Sequence, residues 1–295
     1  MAVRPSETNV ISHIRREFIK WIQTIGAGGA QTRVGTGRGR GGSSSTTNVR
    51  EYINERARGL MEDLVKAYSC NNLGELLRRV NDNITEVKES LKSLGYEELI
   101  DSTYITISRL VVGLRNPYME VLETGIAWDP YWNLPYIPSS SLKGAINSAA
   151  QGTPCSRALS PTDEEGNPAE VSPIVVLDSY PVYCPANGGL LTLDIINPHY
   201  REGEGAISEP QVNPTPIPFL AISKGVGFRV VVMINRSRLR YKCGGRDVGE
   251  YVYMDSKCQG ACMVKEISDI VMKALNNGLG AKTALGYGRM IRQKP

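Results

Sequence analysis

From about Asp101 onward this chain of 295 residues consists of short β-rich runs separated by Gly and Pro, and their order is strand, helix, several strands, helix, strand. That order is the βαββαβ signature of a ferredoxin-like or RNA-recognition-motif sheet. The residues before it carry helical periodicity instead. The predicted fold is therefore α+β: a modified ferredoxin-like sheet with insertions over residues 101–295, preceded by a helical extension over residues 1–100. The length suffices for one sizeable core with such an appendage.

In residues 7–25 the apolar positions Ile11, Ile14, Phe18, Ile22 and Ile25 recur at intervals of three and four. This spacing predicts an amphipathic helix. In residues 26–47, Gly, Ser and Thr alternate with Arg33, Arg38 and Arg40 and almost nothing is apolar. That composition suits a flexible linker, or a Gly-Arg segment gripping phosphate. Asn48 is placed to cap a helix over 49–69, and a second helix runs over 72–94 until Gly95 ends it. The stripe Leu73, Leu77, Val80, Ile84, Val87, Leu91 and Leu94 needs a partner, either the rest of this chain or a neighbouring subunit.

The first strand is predicted over 104–113, where β-branched residues dominate. Further strands are predicted over 174–180, 190–196, 217–222, 227–234 and 288–292, and helices over 141–150 and 263–276. An insertion at 236–261, rich in Arg, Lys, Gly and Tyr, suits a hairpin that touches RNA or a lip that meets a neighbour.

Charged residues make up 22% of the chain and the formal net charge is +4, a mild basic bias that does not by itself mark a strongly basic nucleic-acid binder. The longest apolar run, residues 230–234, is too short to cross a bilayer, so a cytoplasmic protein with no membrane partner is expected. Cys70, Cys155, Cys184, Cys243, Cys258 and Cys262 are scattered, unlike a small secreted disulfide framework, and most are expected as buried thiols.

Two loops carry the chemistry. The first, residues 135–144, places Ser139, Ser140, Ser141 and Lys143 at a helix start, where free amides and the dipole favour an anion. The ordinary alternative is a capped helix. The second, residues 278–289, has Gly278, Gly280, Gly286 and Gly288 with Lys282, Thr283 and Arg289. Its glycines permit close approach of backbone to a ligand. It is not an NTPase P-loop, because Ala281 and Asn276 stand where that motif requires glycine.

Pro135-Tyr136-Ile137-Pro138-Ser139-Ser140-Ser141-Leu142-Lys143-Gly144, followed by Gly278-Leu279-Gly280-Ala281-Lys282-Thr283-Ala284-Leu285-Gly286-Tyr287-Gly288-Arg289, resembles the RAMP superfamily of CRISPR proteins. The internal runs 176–181 and 193–200, with 216–220 and 225–228, resemble the sixth-subunit family of the Cmr, or type III-B, effectors. The resemblance covers roughly residues 110–292. It implies an RNA-recognition fold that holds guide RNA toward its 3′ end, stacked on sister RAMP subunits, in a complex that targets RNA in antiviral defence. Target RNA is a further possible partner. It also implies no catalysis and no cofactor. Carried over by position, Ser139, Ser140, Ser141 and Lys143 are the expected RNA contacts of the first loop, and Gly280, Lys282, Thr283, Gly286 and Arg289 those of the second. Ser139 stands where the family usually has glycine. Guide RNA held without regard to sequence needs amides, Lys and Arg on phosphates and hydroxyls on sugars, so only a strip of surface has to be basic. His199 and Arg201 would extend that strip.

The competing reading is a metal-independent endoribonuclease processing guide RNA, with His199 as general acid or base and Lys143 or Arg201 on the developing charge. A third is a protein-only adaptor docking partners through its N-terminal helices. Asp178 and Asp194 lack a third acidic ligand nearby, and Cys243, Cys258, Cys262 and His199 lack a zinc-ribbon spacing, so no metal is expected.

Overall fold

The computed structural model describes residues 4–27, 49–119, 122, 124–161, 171–196, 217–235, 237, 251–254 and 261–294. The expected linker at 26–47 lies almost wholly outside these residues, as do His199, Arg201, Cys243, Cys258 and most of the 236–261 insertion.

Three helices lead: α1 (Val10–Ala27), α2 (Val49–Ala67) and α3 (Gly74–Ser93). Each buries its apolar stripe, with Val10 and Ile14 of α1, Met61 and Leu64 of α2, and Leu77, Val80 and Ile84 of α3 in the same core as the sheet. The partner of the α3 stripe is thus this chain. Val87 and Leu94, at its far end, stay exposed.

After a turn at Gly95 comes β1 (Glu97–Thr106), seven residues ahead of the predicted strand. Its acidic start disguises it, because Glu98 and Asp101 read as solvent-facing until Lys88, Lys92 and Arg229 are brought opposite them. The β-branched run 107–113 is instead a strap whose backbone bonds to a different neighbour at each step: Leu110 in an isolated two-bond bridge with Ile222, Val111 with Ala281 and Val112 with Ala127.

A short hairpin follows, β2 (Trp128–Asp129) and β3 (Leu134–Pro135), turning at Asn133 with φ 56°. The buried Asn133 side chain is the anchor of the helical layer. Its Oδ1 accepts from Val10 N and Trp128 Nε1, its Nδ2 donates to Pro5 O and Thr8 O, and its carbonyl accepts the Tyr68 hydroxyl.

Next are α4 (Ser139–Ala150), α5 (Cys155–Leu159), β4 (Ile174–Val176), β5 (Pro181–Tyr183), β6 (Leu191–Ile196), β7 (Ile217–Ile222), β8 (Gly227–Ile234), β9 (Tyr251–Met254), β10 (Ala261–Met263), α6 (Val264–Asn277) and β11 (Met290–Arg292). The predicted strand 174–180 is divided: at its end Ser179 turns its hydroxyl to Arg229 O and pairs through its backbone with Ile137. The main sheet runs β11-β1-β8-β4, with β5 also on β8, and all neighbours are antiparallel. β6 and β7 form a separate hairpin against α2.

Both faces of the main sheet are covered. Asp101 and Arg229 point to α3, where Arg229 forks onto Asp101 at 2.8 and 2.7 Å and reaches Asn81 Oδ1 at 2.9 Å and Thr85 Oγ1 at 2.7 Å. Lys88 Nζ closes the cluster, 3.0 Å from Glu98 and hydrogen-bonded to Asp101. Strand alternation sends the buried Tyr104, Phe228 and Val230 to the opposite face, on the side of α4 and α6, which pack on each other.

The expectation of buried thiols is corrected for the four described cysteines. They form disulfides, Cys70–Cys184 and Cys155–Cys262, because folding brings together sulfurs 114 and 107 residues apart in sequence. Among the described residues no helix is long and apolar enough to cross a membrane.

Candidate functional site

The glycine loop leaves α6 at Gly278 and enters β11, packing on the 107–113 strap. Three of its glycines are required by the chain itself, Gly278 with a Cβ position 2.7 Å from Tyr287 O among them. A Cβ on Gly280 would stand 2.3 Å from Val111 O, and one on Gly288 1.9 Å from Leu279 O. The bonds Ala281 N to Val111 O at 2.8 Å and Leu279 N to Gly288 O at 3.0 Å need that closeness. Gly286 differs, with φ 86° and open space where a side chain would go. The space beside the backbone is thus open at Gly286 and filled by the strap at Gly280, although Gly280 itself is exposed.

Lys282 takes a left-handed backbone, φ 60°, and starts a 3-10 turn over Thr283–Leu285. Its ammonium lies 4.3 Å from the ring centroid of buried Phe219 and 5.3 Å from that of Tyr287. Such contacts steer a cation without neutralising it. Burial pulls the Lys282 pKa below its ordinary value, against the nearby Asp194 charge. Beyond Lys282 the tip is open, with Ala284 exposed and Leu285 73% exposed.

Asp194 of β6 organises the flank. It accepts Arg109 Nη1 at 2.7 Å, and the Tyr287 hydroxyl donates to the same oxygen. Burial would raise its pKa, but the bonds from Tyr287, the Ile195 amide and Arg109 prevail and hold it low. The Arg109 side chain remains half exposed, and Arg289 is exposed while its amide donates to Ser108 Oγ at 2.9 Å. Arg109, Lys282 and Arg289 therefore share one end of the sheet, where β1 finishes and β11 begins. Of these, the sequence reading omits Arg109. Nothing local marks it, since its partner is 85 residues away.

The serine loop lies at the opposite edge of the same sheet. The Ser139 amide at the start of α4 donates to Asp178 Oδ1 at 2.6 Å, so a carboxylate of this chain already holds that helix end. Asp178 and Asp194 thus serve two different loops. Lys143 turns inward, its Nζ 2.9 Å from Ile174 O at the sheet edge, and burial lowers its pKa. Ser140 is exposed, Ser139 and Ser141 half-buried. A cavity of about 280 Å³ opens there between Ser139, Ser140, Lys143 and Ser172. Beside it Tyr136 stacks on Tyr180, centroids 5.5 Å apart, and the Tyr180 hydroxyl donates to Asp129 at 2.6 Å.

Residues 103–291 match the family described as the RAMP superfamily. The CRISPR system CMR subunit Cmr6 of Saccharolobus solfataricus is 31% identical over 218 residues, 72% of this chain and 63% of that protein, so the match spans under two thirds of that relative's length. The CRISPR system Cmr subunit Cmr6 of Pyrococcus furiosus is 26% identical over 280 residues, covering 74% of this chain and 73% of that protein. Among solved structures, a chain from a cryo-EM structure of the type III-B Cmr-beta bound to cognate target RNA aligns with a TM-score of 0.69 and 25% identity, over 98% of this chain and 92% of that one.

Proposed function

This chain belongs to the RAMP superfamily, as a subunit of the Cmr6 type, and on that premise we propose that it is a non-catalytic RNA-binding subunit of a cytoplasmic type III-B CRISPR effector. In this reading it grips guide RNA toward the 3′ end, packs on neighbouring RAMP subunits in antiviral defence, and meets target RNA through the complex. The sheet is of ferredoxin-like, RNA-recognition type. The order β11-β1-β8-β4 with antiparallel neighbours, helices α4 and α5 between β1 and β4 and α6 between β8 and β11, supports that assignment.

One observation carries the RNA reading: the glycine loop projects an open tip, Thr283 to Gly286, from a rim bearing Arg109, Lys282 and Arg289. An RNA-recognition sheet ordinarily stacks bases on its open face. Here α3 occupies that face through Arg229 and Asp101, so RNA contact falls to loops, where amides and cations read phosphate without sequence. The Lys143 ammonium bonds Ile174 O, which weakens the case for it as the charge-stabilising cation of a nuclease.

The test is crosslinking of the assembled complex to its own guide, with mapping of the crosslinked peptides. Crosslinks in 278–289 or 139–143 are expected, with guide precursor left uncut by the purified chain. Their complete absence from this chain would reduce it to a protein-contact subunit, and cleavage lost in His199→Ala would make it a nuclease.

A further inference from the structure

Away from the loops, Cys155, Cys262 and Glu266 gather two sulfurs and a carboxylate whose ligand atoms all lie within 4.8 Å of one another. Three elements supply them: Cys155 opens α5, Cys262 is in β10, and Glu266 is in the first turn of α6. Both sulfurs are buried, and Glu266 Oε2 stands 4.0 Å from Cys155 Sγ. Glu266 also caps α6 by accepting Met263 N at 2.7 Å. A carboxylate has two oxygens and about four acceptor sites, so this cap leaves ligating capacity.

We propose that this cluster has two states: the disulfide when oxidised and, once reduced by a dithiol or phosphine, a Zn2+ site. Two electrons from the reductant break the S–S bond and leave two thiols, whose protons depart as the ion binds. The two thiolates and Glu266 then supply three ligands and water the fourth. Two thiolates beside a carboxylate would repel one another in a buried place, and a thiophilic dication removes most of that charge. Tetrahedral bonds of about 2.3 Å set the sulfurs about 3.7 Å apart, a separation that side-chain rotation from Cα atoms 4.8 Å apart can supply. Either state ties α5 to the start of α6, and α6 leads into the glycine loop, so the loop is braced from behind in both. The second disulfide, Cys70–Cys184, is an internal control, since among the described residues no third ligating group gathers at it.

The experiment uses the full chain with Cys243 and Cys258 changed to serine. Reduced anaerobically with a phosphine, given Zn2+ and desalted, it should retain about one ion per chain, and Co2+ should give a thiolate-to-cobalt absorption. The unreduced chain should retain none. Cys262→Ser should abolish retention, Glu266→Gln should weaken it by about tenfold while keeping the cap on Met263 N, and Cys70→Ser should leave it unchanged. Retention that survives Cys262→Ser, or no retention by the reduced parent, overturns the site. Should Cys262→Ser misfold, the cobalt spectrum of the parent chain decides alone, because the absence of a thiolate band sinks the proposal.

Discussion

At Asp101 one carboxylate faces two cations in a nearly dry place. Burial alone would raise its pKa, but the hydrogen bonds from Arg229 and Lys88 outweigh burial and bring it to about 2. The folded-state value lies below the unfolded one, so the stability it contributes is complete above about pH 4 and is lost as pH falls through about 2. Asp101→Asn should remove that acid-range loss and lower stability at pH 7 by about 3 kcal/mol in urea titrations, because Arg229 and Lys88 would be left unmatched. On the surface the scale of effect changes. Lys282→Ala and Arg109→Ala should each weaken guide binding and each reduce the slope of log affinity against log salt by about one, measured on the assembled complex. Lys282, Thr283 and Arg289 were legible in the glycine-rich run. The Arg109–Asp194–Tyr287 group was not, because its members come together only when strap, hairpin and loop meet.

At the scale of elements, the glycine loop divides into a packed base and an open tip, and substitution should separate them. Gly280→Ala sets a methyl against Val111 O in a left-handed backbone, and thermal melts should show a loss of about 3 kcal/mol, with RNA binding failing alongside. Gly286→Ala meets open space and carries only the backbone strain, about 1 kcal/mol, so the fold should persist. The helices were readable because each carries one apolar stripe at helical spacing, and β8 because the run 230–234 is apolar without a break. β1 was displaced in the reading by acids whose partners lie in α3 and β8. The two-residue strands β2 and β3 gave no periodic signal at all, since their turn is specified by the contacts of Asn133.

For the molecule as a whole, the helical layer and the sheet share one core, so the extension does not behave as a detachable arm. The cysteines show where sequence reading stops: six allow fifteen pairings, and spacing alone prefers none. Cys70→Ser opens a ring spanning 114 residues and should lower stability by about 4 kcal/mol in denaturant titrations on the oxidised protein. The two bonds also interlace, since Cys155 falls inside the span from Cys70 to Cys184 while Cys262 falls outside it. Any single peptide-bond cut between Cys70 and Cys262 is therefore bridged. A protease that cuts the oxidised chain once between Cys70 and Cys262 should yield a product that migrates as one band on a denaturing gel and falls into two pieces only when reductant is added.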